Sequence, residues 1–176
     1  RNSLLGSKSA DLRTWSAKDS SELYHVPAWA NGYFSVRADG QVVVHPDGPG
    51  TPEVGLFDVV SDLVERGYPA PLLLRFSGVL RRRVDEIAGS FGQAISEYGY
   101  RGQYRPVFPI KVNQQRPVVE EVYRYGTDFD FGLEVGSKPE LLAVMALTED
   151  APDRLIVCNG FKDDSYIEAV ILSAKL

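Results

Sequence analysis

From Leu72 to Ala174 the chain alternates short apolar runs with stretches whose apolar residues recur at helical spacing, and this alternation limits the fold more than anything else. Strands are expected over 72–76, 104–112, 129–135 and 155–158. Between and after them, Leu80, Val84, Ile87, Ala88, Phe91 and Ile95 stripe one helix, and Val118, Val119 and Val122 begin a second that stops by Gly126. A third helix is expected over 138–148, and Ile167, Val170, Ile171 and Ala174 mark a fourth. Parallel strands need crossover connections, for which a helix is the usual solution, so four βα units imply an α/β protein with a parallel sheet. A (β/α)8 barrel takes roughly 250 residues, so four units amount to the first half of one. An open half barrel would leave sheet edges unpaired. The chain is therefore expected to be a truncation or one piece of a larger assembly.

Upstream, "YFSVRADGQVVVH" sets two β-rich runs around Asp39-Gly40, a hairpin signal, and the Pro/Gly stretch 46–55 reads as a loop. Leu56, Val59, Val60, Leu63 and Val64 then mark a helix that Gly67 stops. Residues 1–22, rich in Ser, Lys, Asp and Arg, are expected to be a mobile arm. The expected organisation is thus an arm over 1–22, a β-hairpin and helix over 23–66, and the barrel half over 67–176.

Composition narrows the function by exclusion. A net charge of −5, without a basic stretch interleaved with aromatics, argues against nucleic acid. One cysteine, Cys158, rules out an internal disulfide, and His25 and His45 stand far apart with no zinc spacing. No apolar run reaches the ~20 residues of a membrane span. A cytoplasmic location is the expectation, or a plastid had a transit peptide preceded Arg1. The Walker A, G-x-G-x-x-G, G-x-S-x-G and H-E-x-x-H patterns do not occur.

Parallel α/β folds place their chemistry at the carboxyl ends of strands. Those ends hold Lys111 in "PIKVN", Glu134 in "LEVGS" and Asn159 in "CNG". A lysine between Ile110 and Val112 on a buried strand would lose hydration, which favours the nucleophilic neutral amine and a Schiff base with an aldehyde cofactor. The other reading is a lysine that reaches out of the strand end to a surface carboxylate. Glu134 would face the same space if its strand neighbours that of Lys111, either orienting the lysine or simply pairing with it. Ser137 and Glu140 fit a capping box, which leaves Glu140 open to a supporting role. Asn159-Gly160 fits a tight turn, with Asp163 or Asp164 at the following helix start.

The segments "YRPVFPIKVNQQRPVVEEV", "FGLEVGSKPELLAVMAL" and "LIVCNGFKDDSYIEAVILSAKL" closely resemble the biosynthetic arginine decarboxylases, as do "VPAWANGYFSV" and "PAPLLLRFSGVLRRRV" before them. The similarity runs from about Tyr24 to the end. It implies a pyridoxal-phosphate enzyme of polyamine biosynthesis that converts L-arginine to agmatine and CO2. The implied fold is a (β/α)8 barrel with an attached β domain, in a homo-oligomer whose active sites lie at subunit interfaces. By this resemblance Lys111 is the Schiff-base lysine, Glu134 the acidic residue that contacts it, and Glu140 and Asn159 further cofactor-site residues; Mg2+ is a second cofactor the resemblance allows. The family's phosphate-binding, ring-stacking and substrate-reading residues fall downstream of these matches, so the remainder of the same polypeptide is an implied partner and the fragment alone is expected to be inactive. Ornithine, lysine or diaminopimelate as substrate, or a non-catalytic chain that completes or regulates a decarboxylase, are the competing readings.

Overall fold

The computed structural model describes residues 14–148 and 153–175. The chain divides into two compact units, residues 1–75 and 76–176.

In the first unit, the expected arm lies partly outside the described residues, but its C-terminal part is a helix, α1 (Ala17–Leu23). The reason is local: the Ser16 hydroxyl accepts from the Asp19 N–H while the Asp19 carboxylate accepts from the Ser16 N–H, a reciprocal cap that needs no apolar stripe. A short α2 (Val26–Ala30) follows. Then β1 (Phe34–Val36), β2 (Val42–Val44) and β3 (Val54–Gly55) form an antiparallel sheet in that order. Phe34 pairs with Val44 and Val36 with Val42, and Gly40 turns the chain between them at φ +87°. Helix α3 (Leu56–Glu65) comes next and ends before Gly67. Val43 and Val44 are fully buried.

The second unit opens with the long α4 (Ser77–Tyr98), stopped by Gly99 in the left-handed region. Its sheet contains β4 (Val107–Pro109), β5 (Gly132–Val135) and β6 (Ile156–Cys158), all parallel and in that order. Helices α5 (Arg116–Tyr125), α6 (Lys138–Leu147) and α7 (Asp164–Ser173) follow these strands in turn.

Three expectations are corrected here. Leu72–Phe76 belongs to no strand: an apolar run becomes one only when a neighbour completes its ladder, and the break between the two units falls within it. The unit therefore shows three parallel strands among the described residues, not four. The strand expected over 104–112 is only Val107–Pro109, and Pro109, paired with Glu134, is its last residue. Ile110–Val112 instead tightens into a 3-10 turn, which removes Lys111 from the strand. The start of β5 is displaced from 129 to Gly132 by a 3-10 turn over Thr127–Phe129 and by Asp130 at φ +53°.

The core explains which face of the sheet the helices cover. Leu133 and Val135, exposed by 1% and 0%, pack with Ile110, Val119, Leu141, Val144 and Tyr166. Burying each such aliphatic side chain stabilises the fold by roughly 1.5–3 kcal/mol. Side chains alternate along a strand, so Glu134, between these two, faces away from the helices.

Candidate active site at the carboxyl ends of the strands

Lys111 and Glu134 meet where β4 and β5 finish. Pro109 is in register with Glu134, and the turn after Pro109 brings the Lys111 Nζ to 3.3 Å from the Glu134 Oε1. The two side chains differ in exposure, 61% for Lys111 and 11% for Glu134. Of the two neighbours of Lys111, Ile110 is in the core and Val112 is 71% exposed, so within this chain no apolar sleeve surrounds the lysine. What holds the amine is the carboxylate, not an apolar sleeve.

Around this pair the strand-end turns are cross-linked. Asn113 Oδ1 accepts from the Gln115 N–H at 3.1 Å, which folds the chain from the Lys111 turn into α5. Gln114 Nε2 donates to Glu140 Oε1 at 2.7 Å, and Glu140 Oε2 accepts from the Gly136 N–H at 2.6 Å. Only half of the expected capping box forms: Ser137 Oγ accepts from the Glu140 N–H at 3.4 Å, while the Glu140 carboxylate reaches one residue further back, to Gly136. Asn159 stands at the end of β6, its N–H bonded to the Val135 carbonyl at 2.8 Å. Its side chain is exposed and forms no hydrogen bond with Lys111, Glu134 or Glu140.

Tyr166, Gln114 and Gly136 were not singled out from the sequence. The buried Tyr166 hydroxyl lies 3.3 Å from both the Val135 and Asn159 carbonyls, to which it donates, and so supports the ends of β5 and β6 from beneath. Burial pushes its phenol above the ordinary value, with Cys158, Glu140 and Glu134 acting in the same direction, so it stays a donor. It lies off the stripe expected for α7, two of whose members, Ile167 and Ile171, are exposed. Gln114 was visible only as an amide after the lysine.

The other helix start is closed by its own side chains. Asp163 accepts from the Tyr166 N–H at 2.8 Å and from the Lys138 Nζ at 2.9 Å. Its carboxyl is held below the ordinary value, chiefly by Lys138 and then by the Tyr166 N–H. No group of three or more His, Cys, Asp or Glu among the described residues forms a metal site. None of their helices is long and apolar enough to cross a membrane.

A parallel α/β sheet with an exposed lysine paired to a carboxylate at its strand ends defines a class, and comparison with known families gives it a name. Residues 84–174 match the pyridoxal-dependent decarboxylase family, in its pyridoxal binding domain, and the chain belongs to that family. Among individual proteins, it is 47% identical over 94% of its length to the biosynthetic arginine decarboxylase of Gloeobacter violaceus and 48% identical over 94% to that of Phocaeicola vulgatus. In both it covers 26% of the relative, so the chain spans about a quarter of the length of the proteins it matches. The crystal structure of the biosynthetic arginine decarboxylase SpeA from Campylobacter jejuni superposes with a TM-score of 0.75 at 35% identity, over 86% of this chain and 24% of that one.

Proposed function

We propose that this chain is the lysine-bearing part of a pyridoxal-phosphate-dependent arginine decarboxylase that converts L-arginine to agmatine and CO2 in polyamine biosynthesis. The observation that carries the reading is the Lys111–Glu134 pair at the open strand ends, 3.3 Å apart, in a chain of this family. In this reading residues 67–176 form part of a (β/α)8 barrel, 23–66 contribute to an attached β domain, and 1–22 precede them as an arm. The complete enzyme is a cytoplasmic homo-oligomer with active sites at its subunit interfaces.

The residues present fit one end of the cofactor. An exposed primary amine, held by a carboxylate at the rim of the sheet, suits the aldehyde. They do not fit the phosphate end, because the carboxylates at this rim, Glu134 on Lys111 and Glu140 on Gln114, repel an anion. The nearby N–H groups of Gln115, Gly136, Glu140 and Tyr166 already have side-chain acceptors. The phosphate is held by other parts of the polypeptide. Mg2+ finds no ligand set among the described residues.

When bound, pyridoxal phosphate supplies the electron sink that accepts the electrons released as CO2 departs. Lys111 holds the cofactor through Nζ. Glu134, nearly buried and within reach of Nζ, orients the amine and holds or returns its proton. Glu140 and Asn159 complete the rim, Glu140 through Gln114 and Asn159 through the exposed amide at the end of β6.

Borohydride reduction of the full-length protein with pyridoxal phosphate, followed by peptide mapping, tests the assignment. A stable pyridoxyl group on Lys111, lost in Lys111→Ala, together with CO2 release from arginine in preference to ornithine, lysine and diaminopimelate, is the expected result. Labelling at another lysine, or none, overturns it.

A further inference from the structure

Lys111 lies beyond the ladder that joins β4 to β5, because pairing stops at Pro109 and the chain turns tightly through Ile110–Val112. No strand hydrogen bond therefore fixes the backbone of this lysine against the strand that carries Glu134. The Lys111–Glu134 contact alone is a weak restraint, since one partner is a long side chain, 61% exposed, with several freely turning bonds. A second link joins the same two turns. Gln114 leaves the Lys111 turn and donates to one oxygen of Glu140 at 2.7 Å; the other oxygen of that carboxylate accepts from the N–H of Gly136 at 2.6 Å, two residues beyond Glu134 on the same chain segment. Each oxygen of one carboxylate thus grips one of the two turns.

The geometry points to Gln114 as a positioning residue: through Glu140 and the Gly136 N–H it fixes the Lys111 turn against the end of β5, so that the lysine amine stays opposite Glu134 for attachment of the cofactor aldehyde. The inference rests on the function proposed above. Gln114 acts on the turn and touches no reacting atom. Asn113, beside it, shapes the same turn locally by accepting from Gln115 N–H, but does not reach β5.

The donor and acceptor chemistry provides a specific test in the full-length polypeptide. Gln114→Leu removes the donor at similar size. Gln114→Glu sets a carboxylate against Glu140, which repels. Adding Glu140→Gln to Gln114→Glu exchanges the roles: the amide introduced at position 140 offers its carbonyl to the Gly136 N–H and its NH2 to the carboxylate introduced at position 114. The readout is the rate at which cofactor-free protein acquires a borohydride-trapped pyridoxyl group on Lys111, alongside kcat and KM for arginine.

Gln114→Leu is expected to slow labelling by about tenfold, equivalent to about 1.4 kcal/mol, and to lower kcat while KM stays near the wild-type value. Gln114→Glu should be at least as slow, and the double variant should return to within about threefold of Glu140→Gln, threefold being less than 1 kcal/mol. Wild-type labelling rates in Gln114→Leu, or no relief of Gln114→Glu by Glu140→Gln, overturn the inference and leave the proposed function standing. Absence of label on Lys111 in the wild-type protein sinks both. Should Gln114→Leu fail to fold, the exchange pair decides alone, because it keeps a polar partner on each side.

Discussion

Gly160 and Gly136 press their backbones together at the ends of β6 and β5. A Cβ on Gly160 would lie 2.2 Å from the Gly136 carbonyl oxygen, and Gly160 itself adopts φ +83°. Both facts exclude a side chain, and the obstacle is backbone that cannot rotate aside. Gly160→Ala is expected to destabilise the protein by about 2–4 kcal/mol, combining left-handed strain with overpacking. A denaturant midpoint that falls at constant m-value checks this. Because Gly136 also donates to Glu140, the variant should slow cofactor labelling at Lys111 as well.

Arg154 closes the opposite end of the same sheet. Its guanidinium donates to the carbonyls of Phe131 and Tyr123 at 2.6 and 3.1 Å and to the Thr127 hydroxyl at 2.5 Å, and it stacks on the Tyr123 ring with its carbon 4.2 Å from the centroid. One planar fork therefore ties the start of β6 to the end of α5 and the start of β5. Arg154→Ala removes the donor to the Phe131 carbonyl and the stack on Tyr123 and should cost about 1–3 kcal/mol. Arg154→Lys should recover only part of this, since a single ammonium cannot span three acceptors in the same plane. Thermal unfolding of the three proteins side by side gives the order.

The helices were legible because their signals are local. Apolar periodicity located α3, α4, α5 and α7, and Gly67, Gly99 and Gly126 stand where helices stop. Strand ends were less legible, because a strand exists only with its neighbour: Leu72–Phe76 has the composition but no ladder, and the β4 ladder ends at Pro109, before Lys111. Lys111 falls in the 3-10 turn just past that strand end, not on the strand itself. Glu134 facing Lys111 followed from two strands being neighbours, which sequence order alone suggested. The Gln114–Glu140–Gly136 link joins residues 26 apart through side chains that no periodicity marks, and so needed coordinates to be seen.

The unequal exposure of Lys111 and Glu134 makes their substitutions unequal. In this chain the lysine is 61% exposed, whereas the carboxylate, 11% exposed, loses its ion-pair partner if the amine is removed. Lys111→Ala is expected to destabilise the cofactor-free full-length protein by about 1–3 kcal/mol, as for a buried acceptor left unpaired. Glu134→Gln alone should change stability by less than about 1 kcal/mol, as for a pair with one solvated member. Combining the two should recover most of the loss. Chemical denaturation without cofactor isolates this effect, since bound cofactor would add its own stabilisation to every lysine-containing protein.

Asp163 ties α6 to α7, and its charge gives the fold a defined acid sensitivity. Its carboxylate accepts from Lys138 Nζ and from the Tyr166 N–H, and these bonds hold its pKa below the ordinary value of 3.8. A carboxyl that releases its proton more readily in the folded state stabilises that state fully above the unfolded pKa and loses the contribution as pH falls through the folded one. The effect is therefore constant at neutral pH and is lost progressively as the pH falls below about 4. Asp163→Asn separates its two roles, because asparagine still caps a helix but cannot pair with Lys138. Stability measured across pH should show the variant below wild type at pH 7, with the gap narrowing as the solution is taken below the ordinary aspartate value. A gap that stays constant down to pH 3 would mean that the Lys138 contact contributes nothing through charge.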